Sequence, residues 1–419
     1  MVLGTDRRVL VLALARMADA IGNSFLIIVL PLYLASDIIP LEGLLGATVP
    51  LLGITVTTEL LIGVLLSLFG FLNSFAQPFT GRLSDRTGKR RIYILFGLVL
   101  LGAASAAYVF APNYETLVLL RALQGLGAAF TIPVTIALVN ELATTESRGG
   151  NLGVFNTFRL IGFGFGPIIA GLVVAAGPYS FYGISLSGFD AAFYAAALGA
   201  FISVGLVTAF VADPEKTGDL AADDLSFQVR DPTGRQTLDP VFALGVATLF
   251  MGISIALFAT LQENVNTRLG QDEFLFSIQF AAVIIANVLL QVPIGRASDQ
   301  YGRRPFLLGG FLLLAPAVFV QGIVTTPLTM IVARLIHGVA VAMVFAPGLA
   351  VAGDLAKEGQ SGTTLSVLTM AFGLGTAIGP LASGYLVRFS FLTPFAFSAV
   401  LAVVALALVY SQVEETLPA

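Results

Sequence analysis

Twelve apolar stretches run from one end of the chain to the other, at 9–35, 55–80, 92–111, 115–140, 151–176, 190–212, 240–262, 275–294, 305–323, 327–350, 363–387 and 390–411. A helix rising about 1.5 Å per residue needs about 20 residues to cross roughly 30 Å of hydrocarbon. Lipid offers backbone amides no partner, so only helices or closed barrels can span it, and the two-residue alternation of a membrane barrel is absent from these stretches. The pattern predicts an all-α membrane protein with twelve transmembrane helices. Composition agrees, because 57% hydrophobic and 11% charged residues in 419 positions give more apolar surface than one globular core can hide.

Orientation follows from the positive charges. Of 21 Lys and Arg residues, Arg16, Arg121, Arg159 and Arg334 lie deep within spans. If both termini are cytoplasmic, only Arg268 and Arg388 fall outside, and the other fifteen lie inside. The positive-inside rule selects that arrangement. The N-terminal stretch runs into a full-length span holding Arg16 and Asp19, which reads as a retained first helix rather than a signal peptide. A multi-pass protein of the plasma (inner) membrane is expected.

The polar stretch 213–239 divides the helices six and six, giving an N-terminal bundle at 1–212, a cytoplasmic linker and a C-terminal bundle at 240–419. The halves also echo each other. Asp85 and Asp299 are 214 positions apart, and both Arg121 with Arg334 and Pro167 with Pro380 are 213 apart, which indicates a duplicated six-helix unit and two pseudo-symmetric bundles.

Several chemistries are excluded. The chain has no cysteine and one histidine, so disulfides, thiol chemistry and His- or Cys-rich metal sites are ruled out. There is no phosphate-binding G-x-x-x-x-G-K-[ST] loop, the basic loops read as topogenic signals rather than nucleic-acid patches, and no soluble segment is large enough for an enzyme site. No cofactor, metal, nucleic-acid partner or enzymatic activity is expected.

The most informative repeat is charged. Residues 81–91 read GRLSDRTGKRR and 295–305 read GRASDQYGRRP, each between the second and third spans of its half. Gly81 and Gly88 would allow a tight reversal, and Asp85 would accept bonds from helix N-terminal amides or pair with a nearby arginine. This stretch resembles the signature loop of the major facilitator superfamily of transporters, and the resemblance covers essentially the whole chain. It implies a functional monomer and a cytoplasmic gate made by Gly81, Asp85, Arg86, Gly88 and Arg91, with Gly295, Asp299 and Gly302 as a second copy that departs at Gln300 and Tyr301.

Three further elements sharpen the resemblance. In the fifth span, Gly153, Gly162, Gly166, Pro167 and Gly171 form a frame similar to the antiporter signature of drug/proton exchangers, with Ala170 in place of a glycine; close helix packing alone would also use the four-residue glycine spacing. Asp19, Gly22 and Pro31 in the first span are similar to the first helix of tetracycline and multidrug antiporters. Asp19 lies about 15 Å deep, where an ionisable group marks a functional site by default; the alternative is a static pair with Arg16, three residues earlier. Arg121, Gln124, Gly125 and Gly127 resemble the fourth-helix motif of the same antiporters, which implies that Arg121 tunes the coupling acid.

Arg334 and His337 repeat part of that motif, and His337 is either a second proton site or a hydrogen-bonded packing residue. Arg159 falls within about 20° of Gly166 on a helical wheel and is expected to face a seam or cavity. Arg16, Asn23, Arg159, Arg334 and His337 are therefore candidates for the substrate cavity, and their excess positive charge leans toward an anionic or zwitterionic substrate.

The leading expectation is a secondary transporter that exports a small amphipathic compound in exchange for protons by alternating access, with Asp19 and Arg121 in proton coupling. An ion-coupled uptake symporter or organic-anion carrier is the first alternative. A membrane receptor or sensor without transport is the second.

Overall fold

The computed structural model describes residues 7–36, 38–49, 53–142, 148–181, 183–213, 229–230, 236–355 and 361–417. The protein is an all-α, multi-pass membrane protein with twelve helical stretches long and apolar enough to span a bilayer. In chain order the helices are α1 (Arg7–Ala35), α2 (Thr58–Thr87), α3 (Arg90–Ala107), α4 (Tyr114–Leu142), α5 (Arg148–Ala175) and α6 (Gly188–Phe210). They continue with α7 (Pro240–Ala256), α8 (Gln262–Leu269), α9 (Glu273–Tyr301), α10 (Arg303–Gln321), α11 (Pro327–Leu355), α12 (Ser361–Leu386) and α13 (Leu392–Gln412). A 3-10 turn at Leu257–Leu261 joins α7 to α8, so the two make one span. Two short antiparallel hairpins lie in connections, β1 (Thr48–Val49) with β2 (Ile54–Thr55) and β3 (Tyr179–Phe181) with β4 (Ile184–Leu186).

Local signals set several helix ends. Ser187 and Asp190 form a reciprocal capping box at the start of α6, and Asp239 caps α7 ahead of Pro240. Gly270 ends α8 in the left-handed region at φ 58°, where its N–H reaches Asn266 O.

The charged stretches differ from their expected form. Residues 81–87 are not a loop: α2 runs through them to Thr87, and α9 likewise runs to Tyr301. Backbone hydrogen bonding continues past the point where apolar character fades. Gly81 is therefore helical, with open space around it, and Gly295 is helical too. The reversal falls to Gly88 at φ 66° and Gly302 at φ 100°, conformations that disfavour a side chain. The seventh span is longer than expected for the same reason, reaching Leu269 rather than 262.

The described residues form two compact units, one within Met1–Thr58 and Leu68–Ala222, the other within Glu59–Ser67 and Asp223–Ala419. Of the expected linker, only Asp213, Val229, Arg230 and 236–239 are described; the remainder lies outside the described residues.

Inside the first unit α1 packs on α5 and α6 through glycines. A Cβ on Gly162 would stand 2.4 Å from Met17 O, and one on Gly22 would stand 2.6 Å from Ala196 O. The two units repeat each other at the level of such contacts. Gly97 closes on Gly127 O and Gly310 on Ala340 O, while Gly125 closes on Phe69 O and Gly338 on Val283 O. Each member stands 213 or 214 positions from its counterpart, so the duplication preserves helix approach as well as sequence.

Candidate functional site

Polar groups inside an apolar bundle must find partners, and their arrangement picks out the chemistry. In the first unit the Arg16 guanidinium donates from Nη1 to Asp19 Oδ2, one turn further along α1. Asp19 is buried, with 4% of its surface exposed. Its other oxygen, Oδ1, has no hydrogen-bond partner among the described residues. A small cavity opens beside the pair, lined by Leu12, Ala15, Ile94, Leu98, Thr131, Thr135 and Val207. The hydroxyls of Thr131 and Thr135 donate to backbone carbonyls of α4, at 2.9 Å to Gly127 O and 2.6 Å to Thr131 O. Asn23 sits one turn beyond Asp19, half-buried.

Arg159 belongs to the same neighbourhood. The glycine stripe of α5 presses on α1, with Gly166 against Ser24 and Ile21, so the residue three positions before Gly162 is carried to the level of Arg16. Both Nε and Nη2 of Arg159 donate to one acceptor, Asn156 Oδ1, at 3.1 and 2.9 Å, and the guanidinium is within Coulombic reach of Arg16. Asp19 pairs with Arg16, and Arg159 is held by Asn156 on its own helix.

Arg121 lies apart from this cluster. Its Nη1 donates to Gln124 Oε1 at 3.0 Å and its guanidinium lies 4.5 Å from the Phe69 ring centre. Gln124 also accepts from Tyr108 Oη at 3.1 Å and donates to Ser105 Oγ at 2.9 Å. Among the described residues nothing joins Arg121 to Asp19 directly.

The counterpart in the second unit is equally closed. Arg334 donates from Nε to Gln279 O at 3.1 Å and lies 4.1 Å from the Phe258 ring centre. His337 is completely buried between Gln321 Nε2, 3.2 Å from Nδ1, and Ser254 Oγ, 3.2 Å from Nε2. Ser254 donates its own hydrogen to Met251 O at 2.6 Å, so it receives from the ring, and the tautomer carries its hydrogen on Nε2.

The repeated charged stretches form a third arrangement. In the first unit Arg90, 1% exposed, joins Asp85 to Glu141, with Nη2 2.6 Å from Glu141 Oε1. In the second, Arg303 joins Asp299, at 3.3 Å, to Asp354. Arg91 N donates to Asp213 Oδ1 at 2.7 Å and its Nη2 to Thr208 O at 2.5 Å. Arg303 N and Arg304 N both donate to the Glu415 carboxylate at 3.0 Å, and Arg304 Nη2 reaches Tyr410 O at 2.7 Å. Asp85 thus pairs with arginine rather than with helix-terminal amides, and Arg86 stays exposed on the last turn of α2.

Sequence reasoning passed over Arg90, Glu141, Arg303, Asp354, Asp213 and Glu415. The signal was present. Glu141 and Asp354 share the 213-residue offset, and Asp213 with Glu415 shares an offset of 202 with Thr208 and Tyr410.

In the antiporter-like frame Gly162 and Gly166 make helix contacts and Gly153 has nothing near it, with Pro167 inside α5 and Gly171 buried. Among the described residues no group of three or more His, Asp or Glu is placed to hold a metal ion.

Comparison with known proteins agrees with this architecture. The family profile described as Major Facilitator Superfamily matches residues 12–259 and 241–419. An uncharacterised MFS-type transporter of Methanocaldococcus jannaschii is 24% identical over 360 residues, covering 85% of this chain and 90% of that protein. A homolog of the multi-drug resistance efflux pump PmrA from Lactococcus lactis is 26% identical over 333 residues, covering 76% and 73%. The crystal structure of a bacterial homolog of the human lysosomal transporter Spinster, inward-facing and occupied, superposes with a TM-score of 0.75 at 13% identity and covers 97% of each chain.

Proposed function

Because the chain belongs to the major facilitator superfamily, a family of transporters and not of enzymes, we propose that it is a proton-coupled secondary transporter of a small amphipathic compound, with Asp19 as the proton-binding group. The observation that carries this reading is the buried Arg16–Asp19 pair beside a small cavity whose lining includes Thr131 and Thr135. A carboxylate that deep is retained where it can exchange charge as its surroundings alternate. Oδ1, without a hydrogen-bond partner among the described residues, is the oxygen that takes the proton.

The protein functions as a monomer in the plasma membrane with both termini cytoplasmic, and the two charged lattices gate the cytoplasmic side. Resemblance to drug/proton exchangers, together with the relative described as a multi-drug efflux pump homolog, supports export by antiport as the first form of the mechanism. A second form, co-transport of an organic anion with protons, is favoured by the excess of arginine over acid within the spans of the first unit, where Arg16 pairs with Asp19 and Arg121 and Arg159 are held by amide side chains.

The test is compound-driven proton movement in liposomes containing only this protein, parent against Asp19→Asn. Movement in the parent that the variant abolishes is the expected result. Coupling that persists in the variant removes Asp19 from the mechanism, and flux of no compound at all would favour a sensor.

A further inference from the structure

We infer that the turn between α12 and α13 is a binding site for the headgroup of an anionic phospholipid, with Arg388 and Arg268 as the groups that hold its phosphate.

The turn reads VRFSF over 387–391 and lies where the apolar span Val367–Leu386 stops and the span Leu392–Gln412 starts. A chain that leaves a bilayer and re-enters it within a few residues holds those residues at the level of the lipid headgroups. Two guanidinium groups rest on rings of this region. Arg388 Cζ lies 4.3 Å from the centre of the Tyr385 ring and 4.6 Å from that of Phe389, and Arg268 Cζ, from the last turn of α8, lies 4.7 Å from that of Phe391. Arg268 also donates from Nε to Val324 O at 3.3 Å, which fixes it to the turn after α10. Both arginines are exposed residues.

Stacking positions these groups without answering their charge. Among the described residues neither guanidinium makes an ion pair, and apart from Arg268 Nε none of their nitrogens has a hydrogen-bond partner. The opposite end of α10 is built differently, since Arg303 there is flanked by Asp299 and Asp354. The acids of the α8–α9 reversal are engaged elsewhere: Asp272 accepts from Leu275 N at 2.9 Å as the cap of α9, and Glu263 accepts from Thr267 Oγ1 at 3.3 Å. A ring contact occupies a guanidinium's face and leaves its N–H edge for an acceptor, and a phosphate accepts from such an edge in forked pairs. Two positions after Arg388, the Ser390 hydroxyl bonds that of Thr393 at 2.8 Å, which leaves one hydrogen of the pair to donate.

The apolar surface adjoining the arginines favours a lipid over a dissolved anion. The Phe389 side chain is 60% exposed, and Phe397, Val400 and Val404 form an exposed stripe at helical spacing on α13. Acyl chains lie along such a stripe while the phosphate meets the guanidinium edges. A dissolved anion would use the arginines and leave the stripe uncovered. The first unit has no copy of this arrangement. At the 213-residue offset Arg388 and Phe391 correspond to Ala175 and Pro178, and the connection there carries the β3–β4 hairpin, so duplication does not account for the pair.

The experiment is native mass spectrometry of the purified full-length protein, titrated in detergent with dioleoyl phosphatidylglycerol or dioleoyl phosphatidylcholine. Phosphatidylglycerol is expected to bind about tenfold or more tightly than phosphatidylcholine. Arg388→Gln should lose most of that preference, and Arg268→Gln/Arg388→Gln should abolish it. Arg388→Lys should keep part of it, because an ammonium retains the charge but not the fork. Arg230→Gln removes an exposed cation elsewhere in the second unit and should leave the preference unchanged. All these variants alter exposed side chains and should unfold near the parent temperature.

Equal binding of the two lipids by the parent would overturn the inference without recourse to any variant. A preference that survives in the double variant would do the same, as would one lost equally in Arg230→Gln, which would reduce it to net charge. Displacement of phosphatidylglycerol by an equal concentration of inorganic phosphate would assign the arginines to a dissolved anion and remove the lipid.

Discussion

Glu141 Oε1 stands 2.6 Å from Arg90 Nη2 across 51 positions of sequence, and Asp354 meets Arg303 across the same 51. In each unit an arginine at the start of one span, α3 or α10, is therefore held between a carboxylate at the end of the span before it and one at the end of the span after it.

The two acids around Arg90 are not equivalent. The Glu141 side chain is 12% exposed and Asp85 35%. Removing the more buried partner leaves an almost fully buried guanidinium short of charge. Glu141→Gln should lower stability by about 1–3 kcal/mol and Asp85→Asn by about 1 kcal/mol or less. Thermal unfolding in detergent compares them, and an equal or inverted ranking would show that Asp85 is the principal partner.

A different pairing separates structure from function at Asp19. Breaking the Arg16–Asp19 pair by Asp19→Asn strands a buried cation, at a cost of about 3–5 kcal/mol, whereas the double variant Arg16→Gln/Asp19→Asn removes both charges and should recover most of that stability. Proton coupling should stay absent in both. A double variant that regains stability and coupling together would reduce the pair to a structural clamp.

His337 gives the opposite expectation. Both ring nitrogens are engaged, by Gln321 and Ser254. His337→Gln should transport with the pH profile of the parent, while His337→Leu should cost about 1–3 kcal/mol through the polar partners it strands. A displaced profile in His337→Gln would return His337 to the proton path.

These residues show how far the sequence could be read. Twelve helices were legible because lipid makes apolar length decisive, and the 213-residue offset between Arg121 and Arg334 was visible by inspection. The Arg16–Asp19 pair was legible because three residues along a helix is a contact distance. Glu141 was not. Its partner is on another helix, and an acid at a span end looks like any solvated charge until the fold brings Arg90 beneath it. Arg121 raised the converse problem: a motif suggested a link to Asp19, while its actual partners, Gln124 and Phe69, are a helical turn and a neighbouring helix away.

Helix packing makes a sharper prediction within the antiporter-like frame. A Cβ on Gly162 would meet Met17 O at 2.4 Å and one on Gly166 would meet Ser24 Oγ at 1.8 Å, but nothing lies within 4 Å of a Cβ on Gly153. Gly162→Ala and Gly166→Ala should each lower stability by about 1–3 kcal/mol, and Gly153→Ala should be neutral or slightly stabilising. Equal losses at all three positions, read from thermal unfolding, would mean that α5 does not approach α1 as described.

The segment after α13 ties the C-terminal end of the described chain to the start of α10 through Glu415. Partial burial raises the Glu415 carboxyl, but backbone N–H groups of Arg303, Leu417, Arg304 and Thr416 outweigh it and hold the group below the usual carboxylate range. A carboxyl whose folded value is depressed contributes stability above its unfolded value and loses that contribution as pH falls through the folded one. The hold on the first turn of α10 should therefore be intact at neutral pH and should weaken only on acidification below about 4.5. Glu415→Gln offers one acceptor oxygen in place of two and no charge, so its weaker hold should not respond to acid. Amide hydrogen exchange at Arg303 and Arg304 reads the difference directly: in the parent, protection should fall from pH 5 to pH 3 after correction for intrinsic rates, and in Glu415→Gln it should start low and stay flat. Parent protection that is flat across this interval would show that the charge on Glu415 does not hold the end of α10.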